Sequence, residues 1–448
     1  MIDLVRVSVF GLGPVGLATA VCFAAKGYRV IGVDSDPQRV RQLKEGKLAF
    51  FEPGLKELLK QSVRSKTLQV TEDYHLNAES DFSFICVGTP SNPDGSANLN
   101  YVRSVASEIG MSLRPNKKRQ VVVVKSTVIP GSARRLVKPI LIRKSGRKYG
   151  KNLFLCSNPE FLREGNAIHD TRMPDRIVIG SDENSAIRML ENFYLDFHGE
   201  STRTIIKTTF ENAEFIKYAS NSFLATKISF INCIANIAQL TPGADVRTIA
   251  TGIGLDQRIG PRFLNAGLGW GGSCFPKDLK ALVSLSKSLG YDPKLIEASI
   301  LTNLNQRQRA VEMCKEEMGT LMGKRLAVLG LSFKPDTDDL REAVSIPLIR
   351  KLIAEGGIVS VYDPVAMPNA RRMLGGTVRY SPTAEACVKG TDCCILVTEW
   401  GEFVKLQPSF FVKRMKRPLM IDGRRIYDAS KFRRAGVIIR GIGLGASS

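Results

Sequence analysis

The sequence predicts an α/β protein built from two Rossmann-like, doubly wound domains joined by a long central helix and a helical connector. Three observations lead there. Each half of the chain opens with a strand, a glycine turn and a helix. Short β-rich runs then alternate with helix-spaced segments, the pattern of a parallel sheet covered on both faces. Between the halves, Phe210 to Leu240 keeps mostly helical periodicity over about 30 residues, long for a globular helix. At 448 residues the chain exceeds a single core and suits two or three domains, which we place at 1–205, 206–305 and 306–448.

The first strand, Leu4 to Phe10, runs into Gly11-Leu-Gly13-Pro-Val-Gly16 and a helix-like stretch, and Tyr28 to Asp34 returns as a strand. A GxGxxG in that place brings backbone N–H groups against a pyrophosphate. Asp34, 18 residues beyond Gly16, adds the acid that pairs with a ribose diol, and its charge repels a 2′-phosphate. NAD is therefore favoured over NADP, with a purely structural turn as the alternative. Further strands are expected over Phe82 to Val87, Gln120 to Lys125, Leu153 to Cys156 and Arg176 to Ile179.

On the long helix, Lys217 and Asn221 are four apart and project from one face beside Glu214 and Tyr218. A helical Lys is usually solvated, but an Asn one turn later on a face rich in Phe and Ile suggests a polar site in an apolar groove. Glu160 and Glu164, in Asn158-Pro-Glu160-Phe-Leu-Arg-Glu164-Gly165, share that spacing. Next comes Gly269-Trp270-Gly271-Gly272-Ser273-Cys274-Phe275-Pro276-Lys277-Asp278. Pro276 suits a first helical turn, and the apolar spacing from Asp278 continues to a stop at Gly290. Cys274 thus falls where unpaired N–H groups and the helix dipole favour a thiolate. The glycines before it would let a ligand approach the backbone closely. The plain alternative is a small buried apolar residue.

In the second half, Arg325 to Gly330 is followed by strands at Ile358 to Asp363, Cys393 to Thr398 and Pro418 to Asp422. The dinucleotide fingerprint is missing there. Leu331-Ser332-Phe333-Lys334 follows the glycine, so Lys334 is the candidate phosphate partner of a second nucleotide site.

Composition excludes several classes. Hydrophobic content of 44% and charged content of 24% are those of a soluble globular protein. No apolar run approaches the roughly 20 residues of a membrane span, and the start of the chain leads into a strand without a signal peptide, so a cytoplasmic location and no membrane partner are expected. Nine cysteines lack paired spacing apart from Cys393-Cys394 and read as reduced thiols. No Cys/His cluster argues for a metal, and His75, His169 and His198 are scattered. The net charge of +21 comes from dispersed residues with short clusters at Lys117 to Arg119, Arg143 to Lys151 and Lys413 to Arg417. None is interleaved with aromatics and no nucleic-acid motif accompanies them, which leaves solvated surface charge or phosphate-bearing small ligands.

A carboxylate, an ammonium, a thiol and a hydride-accepting cofactor together suit alcohol oxidation through a thiol adduct. These residues, with Phe51-Glu-Pro-Gly-Leu, Val87-Gly-Thr-Pro, Lys125-Ser-Thr127-Val, Phe333 to Glu342, Tyr362-Asp-Pro and Asp422-Gly-Arg424, resemble the UDP-glucose/GDP-mannose dehydrogenase family along nearly the whole chain. The resemblance implies a four-electron oxidation of a nucleotide-sugar alcohol to the acid. It implies an NAD-binding domain over 1–205, a dimerisation domain over 206–305 and a nucleotide-sugar-binding domain over 306–448.

Carried over by position, the resemblance makes Cys274 the nucleophile that holds the C6 aldehyde. Lys217 and Asn221 would hold the C6 oxygen and a water, Asp278 and Thr127 would order the water, and Glu160 would be the acid/base for thioester hydrolysis. Cofactor contacts are implied for Gly11, Gly13, Gly16, Asp34, Arg39, Thr89, Thr127, Glu164, Lys277 and Arg341. Glu160, Phe161, Leu162, Lys217 and Asn221 would face the sugar nucleotide. Asn265, Gly267 and Gly271 belong to the loop over its diphosphate, which Phe333, Lys334 and Arg424 complete. Arg258, in Asp256-Gln-Arg-Ile-Gly, would reach the sugar of the neighbouring subunit in a homodimer or dimer-based oligomer. Gly-Gly-Ser-Cys differs from the Gly-His-Cys of relatives that oxidise N-acetylmannosamine nucleotides. Phe51-Glu-Pro-Gly-Leu, Asp94 to Leu99 and Asp422 to Tyr427 look more like the UDP-glucose branch than the GDP-mannose branch. Asn265 and Trp270 depart from common relatives, which carry Lys and Phe or Tyr there. Two other classes stay in view: a basic NAD-binding scaffold or nucleic-acid partner that has lost turnover, and a two-electron hydroxy-acid dehydrogenase, which would need no Cys274 and would rely on histidine.

Overall fold

Valine, isoleucine and phenylalanine runs bounded by glycine and polar turns form two sheets. The computed structural model describes residues 5–114, 118–199 and 204–446. Leu4, expected at the start of the first strand, and Lys117 of the basic cluster lie outside them. Two compact units divide the chain. One runs to Ser220 and takes in Lys280–Leu289; the other comprises Asn221–Leu279 and everything from Gly290 on.

The first unit holds an eight-stranded sheet: β1 (Arg6–Phe10), β2 (Arg29–Val33), β3 (Leu68–Thr71), β4 (Phe82–Ile85), β5 (Gln120–Val124), β6 (Leu153–Ser157), β7 (Ile177–Gly180) and β8 (Ile205–Thr208). Their order is β3-β2-β1-β4-β5-β6-β7-β8. The order reverses between β1 and β4, and a doubly wound sheet binds ligands outside the carboxyl ends of its strands at such a switch point. Strand β5, Gln-Val-Val-Val-Val, is buried throughout, as expected for a sheet covered on both faces. The all-parallel expectation holds from β3 to β6 and fails at β7, which pairs with β6 in the antiparallel sense. The reason lies in the connection: a parallel return needs a crossover, usually helical, and only the six-residue helix Ala167–Arg172 stands between these strands.

The second unit holds β9 (Arg325–Leu329), β10 (Ile358–Tyr362), β11 (Arg379–Tyr380), β12 (Cys393–Leu396), β13 (Leu419–Asp422) and β14 (Ile438–Gly441), in the order β11-β10-β9-β12-β13-β14. Every pair in this sheet is parallel. The long helix runs over Phe210–Gln239, 30 residues, and the boundary between the units falls within it. In the second unit it is followed by the helices Val246–Gly254, Phe275–Ser288, which runs on into the first unit, and Lys294–Gln306. All nine cysteines are free thiols. Among the described residues no helix is long and apolar enough to cross a membrane.

Candidate functional site

In the first unit, β1 delivers the chain into the glycine turn and the helix Pro14–Lys26. A Cβ on Gly16 would lie 1.8 Å from the Gly11 carbonyl oxygen, so the helix can close on the turn only with glycine there. A Cβ on Gly13 would meet nothing within 4 Å, which leaves the crest of the turn open to a ligand. Asp34 follows β2 and is buried. Its Oδ2 accepts from the Leu12 N–H at 2.7 Å and from Arg39 at 2.9 Å. Arg39 is held in turn by its helix, where Asp36 accepts from the Gln38 and Arg39 N–H groups.

The Thr89 hydroxyl donates to the Thr127 carbonyl at 2.8 Å, joining the loops after β4 and β5. Glu160 and Lys217 are both nearly inaccessible and form an ion pair at 3.0 Å. The second Glu160 oxygen accepts from the Leu162 N–H at 2.5 Å. Burial alone would raise the Glu160 carboxyl, but the Lys217 charge and hydrogen bond, the Leu162 N–H and the Lys125 charge together bring it below its ordinary value. Lys217 Nζ also lies 5.4 Å from the centre of the Phe161 ring. The solvated alternative for Lys217 is thereby excluded.

Two expectations are corrected. The segment from Asn158 to Gly165 is not helical, so the four-residue spacing of Glu160 and Glu164 does not place them on one helical face. Glu52 holds this segment from outside, its oxygens accepting from Gly165 N at 2.7 Å and Ala167 N at 2.8 Å. The second correction concerns the glycines before Cys274. A Cβ on Gly269 would strike Asn303 Oδ1 at 2.5 Å, one on Gly271 the Glu342 carbonyl oxygen at 2.2 Å, and one on Gly272 the Phe333 ring at 2.7 Å. On the side a Cβ would take, the protein's own atoms make the close approach.

In the second unit, Cys274 precedes the first turn of the helix Phe275–Ser288, and its carbonyl accepts from Asp278 N at 2.9 Å. Asp278 is buried; it accepts from Asn221 Nδ2 at 2.6 Å and pairs with Lys277 at 2.5 Å. Asn221, Lys277 and Asp278 are therefore brought together one turn beyond the thiol. Gly267 is held within the loop that Asn265 begins, and Arg424 donates to the Gly269 carbonyl at 3.2 Å and to the Val397 carbonyl at 2.6 Å. Lys334 Nζ lies 5.6 Å from the centre of the Phe333 ring. Arg341 forks onto Asp339 at 2.7 Å. Arg258 stands apart from these groups: its side chain is 89% exposed and pairs with Asp256 at 2.6 Å.

Three residues that the sequence placed in a motif, on a helix face or at a strand end, without a role, take one in the structure. Lys125 donates to Asn158 Oδ1 at 3.2 Å, and burial lowers its ammonium. Glu214 accepts from Gly131 N at 2.5 Å and Ala133 N at 2.9 Å; burial outweighs those bonds and pushes its carboxyl up to about 8. Asp363, after β10, accepts from Leu331 N at 2.7 Å, repeating in the second unit what Asp34 does for Leu12. The signal for Asp363 was in the sequence, since both units place an aspartate at the end of their second strand.

Sequence models of the UDP-glucose/GDP-mannose dehydrogenase family match in three successive stretches: the NAD binding domain over residues 5–198, the central domain over 211–305 and the UDP binding domain over 327–429. The UDP-glucose 6-dehydrogenase TuaD of Bacillus subtilis is 44% identical over 439 residues, covering 98% of this chain and 93% of that protein. A UDP-glucose 6-dehydrogenase of Pseudomonas aeruginosa is 41% identical over 98% of this chain and 97% of its own length. Among solved structures, a UDP-glucose dehydrogenase from Pyrobaculum islandicum superposes with a TM-score of 0.89 at 38% identity, covering 99% of this chain and 98% of that one. With all three domains matched in order and relatives alike from end to end, the chain belongs to the UDP-glucose/GDP-mannose dehydrogenase family.

Proposed function

We propose that this protein is an NAD-dependent UDP-glucose 6-dehydrogenase, which converts the C6 alcohol of UDP-glucose to the carboxylate through a Cys274 thiohemiacetal and thioester. The observation that carries the reading is the loop ending in Cys274 at the head of a helix, with Asn221, Lys277 and Asp278 joined just beyond it. Relatives named UDP-glucose 6-dehydrogenase across nearly the full length support the choice of sugar nucleotide.

The residues present fit NAD. The open crest at Gly13, the closed turn at Gly11 and Gly16, and the Asp34 carboxylate suit a pyrophosphate and a ribose diol without a 2′-phosphate. Arg39, Thr89, Thr127, Glu164, Lys277 and Arg341 are the further cofactor contacts we assign. Bound there, NAD supplies the hydride acceptor for both oxidations.

Cys274 Sγ bonds to C6 of the aldehyde left by the first oxidation, and the carbonyl oxygen takes up a proton to give the thiohemiacetal. The second oxidation leaves a thioester. Water then adds to that carbon and the C–S bond breaks, returning the thiol. The sum is one alcohol, two NAD and one water to one carboxylate, two NADH and three protons. Lys217 and Asn221 stabilise charge on the C6 oxygen as it develops, a task suited to groups already desolvated and fixed. Glu160, kept ionised beside Lys217, is the base for the hydrolytic water, which Thr127 and Asp278 orient. Phe161, Leu162, Asn265, Gly267, Gly271, Phe333, Lys334 and Arg424 are assigned to the sugar nucleotide.

The same reading makes the enzyme a cytoplasmic homodimer or dimer-based oligomer, with the stretches 1–205, 206–305 and 306–448 serving NAD, dimerisation and sugar nucleotide. An apolar seam supports association. Phe223, Phe230, Ile237 and Leu240 recur at spacings of seven, seven and three along the long helix and its end, all exposed. We assign Arg258, which is exposed and pairs with Asp256, to the sugar of the neighbouring subunit.

The test is NADH release from purified protein with UDP-glucose, GDP-mannose and N-acetylated nucleotide sugars, with products weighed by mass spectrometry. UDP-glucose should give two NADH per carboxylate and no free aldehyde. One NADH with released aldehyde, or a Cys274→Ala enzyme that makes acid at the wild-type rate, would refute the thioester route. Preference for GDP-mannose would move the protein to that branch.

A further inference from the structure

The segment Gly267-Leu268-Gly269-Trp270 carries two glycines, so holding it in one conformation without a ligand costs more than for an average loop. Yet all four residues are buried, and the backbone at both ends is taken up by side-chain amides. Gly267 N donates to Asn232 Oδ1 at 2.8 Å, and Gln306 Nε2 donates to the Gly267 carbonyl at 2.8 Å. Trp270 N donates to Asn303 Oδ1 at 2.7 Å, and Asn303 Nδ2 donates back to the Trp270 carbonyl at 2.9 Å. Asn236 Nδ2 completes the set by donating to Gln306 Oε1 at 3.0 Å.

Two helices supply these amides at helical spacing: Asn232 and Asn236 on the long helix, Asn303 and Gln306 on Lys294–Gln306. Asn232, Asn303 and Gln306 are 0%, 1% and 0% exposed. Three amides buried that deeply are costly unless their hydrogen bonds are made, and the backbone of this loop is what satisfies most of them. Trp270 adds a fifth anchor. Its indole N–H donates to Ser229 Oγ at 3.0 Å, and that hydroxyl donates to the Ser299 carbonyl at 2.8 Å. Trp270 therefore faces inward, against Ala225 and Leu279, and is a fixture of the loop rather than a sugar contact.

We propose that Asn232, Asn303 and Gln306 are positioning residues, a buried amide rack that presets the Gly267–Trp270 backbone for the nucleotide diphosphate before the ligand arrives. The proposal rests on the assignment of this loop to the sugar nucleotide. A loop ordered in advance spares binding the entropy of ordering it, so the rack acts on affinity for the nucleotide moiety and leaves NAD affinity alone.

Two measurements on the full-length protein test it. The first uses the wild type: hydrogen exchange of the Gly267 and Trp270 amides without ligand and with UDP. Both amides should be protected already in the free protein, with little added by UDP. Fast exchange that slows only with UDP would overturn the rack, because the ligand would then be ordering the loop. The second is calorimetric titration of Asn303→Ala and, as a near-isosteric change, Gln306→Met. In either folded variant UDP should bind about 10- to 100-fold more weakly while NAD binds within about twofold of wild type, a split that general loss of structure would not produce. Unchanged UDP affinity in a folded variant would overturn the proposal. A wild type that does not bind UDP at all would instead refute the functional reading, while the exchange result would still decide whether the loop is preset.

Discussion

Asp34 carries two loads, and removing it disturbs both. In the proposed NAD site its carboxylate would face the place of a 2′-phosphate, and it also occupies Arg39 and the Leu12 N–H. In Asp34→Ala the repulsion disappears and Arg39 is released to meet a phosphate, so the ratio of kcat/KM for NADP to that for NAD should rise at least about tenfold. Stability should fall by about 1–3 kcal/mol because a buried N–H loses its acceptor. Steady-state kinetics with both cofactors checks the first expectation, and an unchanged ratio would remove Asp34 from cofactor selection. Glu214 offers a pH test. Its folded carboxyl titrates at about 8, far above an ordinary carboxylate, because burial outweighs the two N–H bonds it accepts. The folded state thus holds a proton that the unfolded chain has released, and stability falls as pH rises from about 4.5 to 8, by about 1.4 kcal/mol per unit, then levels off. The Tm of wild type minus that of Glu214→Gln should decline across this window. A difference that stays constant with pH would mean that Glu214 does not titrate there.

The elements most readable in the sequence were those with many periods. Thirty residues of helical spacing defined the long helix to within a residue of its end, and buried aliphatic strands such as β5 stood out. What escaped was short or depended on partners. Strand β11 has two residues, and β8 is only partly buried, so neither carries enough alternation to be recognised. The direction of β7 is a property of the connection before it, invisible in Ile-Val-Ile-Gly itself. Glu160, Lys217, Asn221, Cys274 and Asp278, the groups proposed to carry the chemistry, stand in motifs that the sequence displays. Asn232, Asn303 and Gln306 were not, because polar residues at helical spacing read as a solvated face until a loop is found against them. The long helix also carries a prediction. Phe230, 53% exposed, lies in the middle of the apolar seam, and a carboxylate there would be desolvated by any partner helix. Phe230→Glu should leave the Tm of the isolated chain nearly unchanged and convert a dimer to monomer in analytical ultracentrifugation. A variant that stays dimeric would place the interface elsewhere.

At the scale of the whole molecule, the formal charge of +21 would repel like copies, so association must come from a specific surface rather than from general adhesion. The proposed dimer makes a demand that a monomeric enzyme would not. Arg258 is held by Asp256 in an exposed turn, and the proposal has it reach an anionic sugar nucleotide across an interface. If each site takes Arg258 from one subunit and Cys274 from the other, neither an Arg258→Ala nor a Cys274→Ala homodimer is competent. A mixed dimer then contains one site with both defects and one with neither. Co-expressed, differently tagged chains purified for the mixed species should recover about half the wild-type kcat per dimer, with wild-type KM, since the intact site is unaltered. If Arg258 serves its own chain's site, every site in the mixed dimer lacks one group, and activity should stay at the level of the two parents. Mixed dimers verified by mass spectrometry that show no such recovery would return Arg258 to its own subunit and remove the requirement for a dimer from the chemistry.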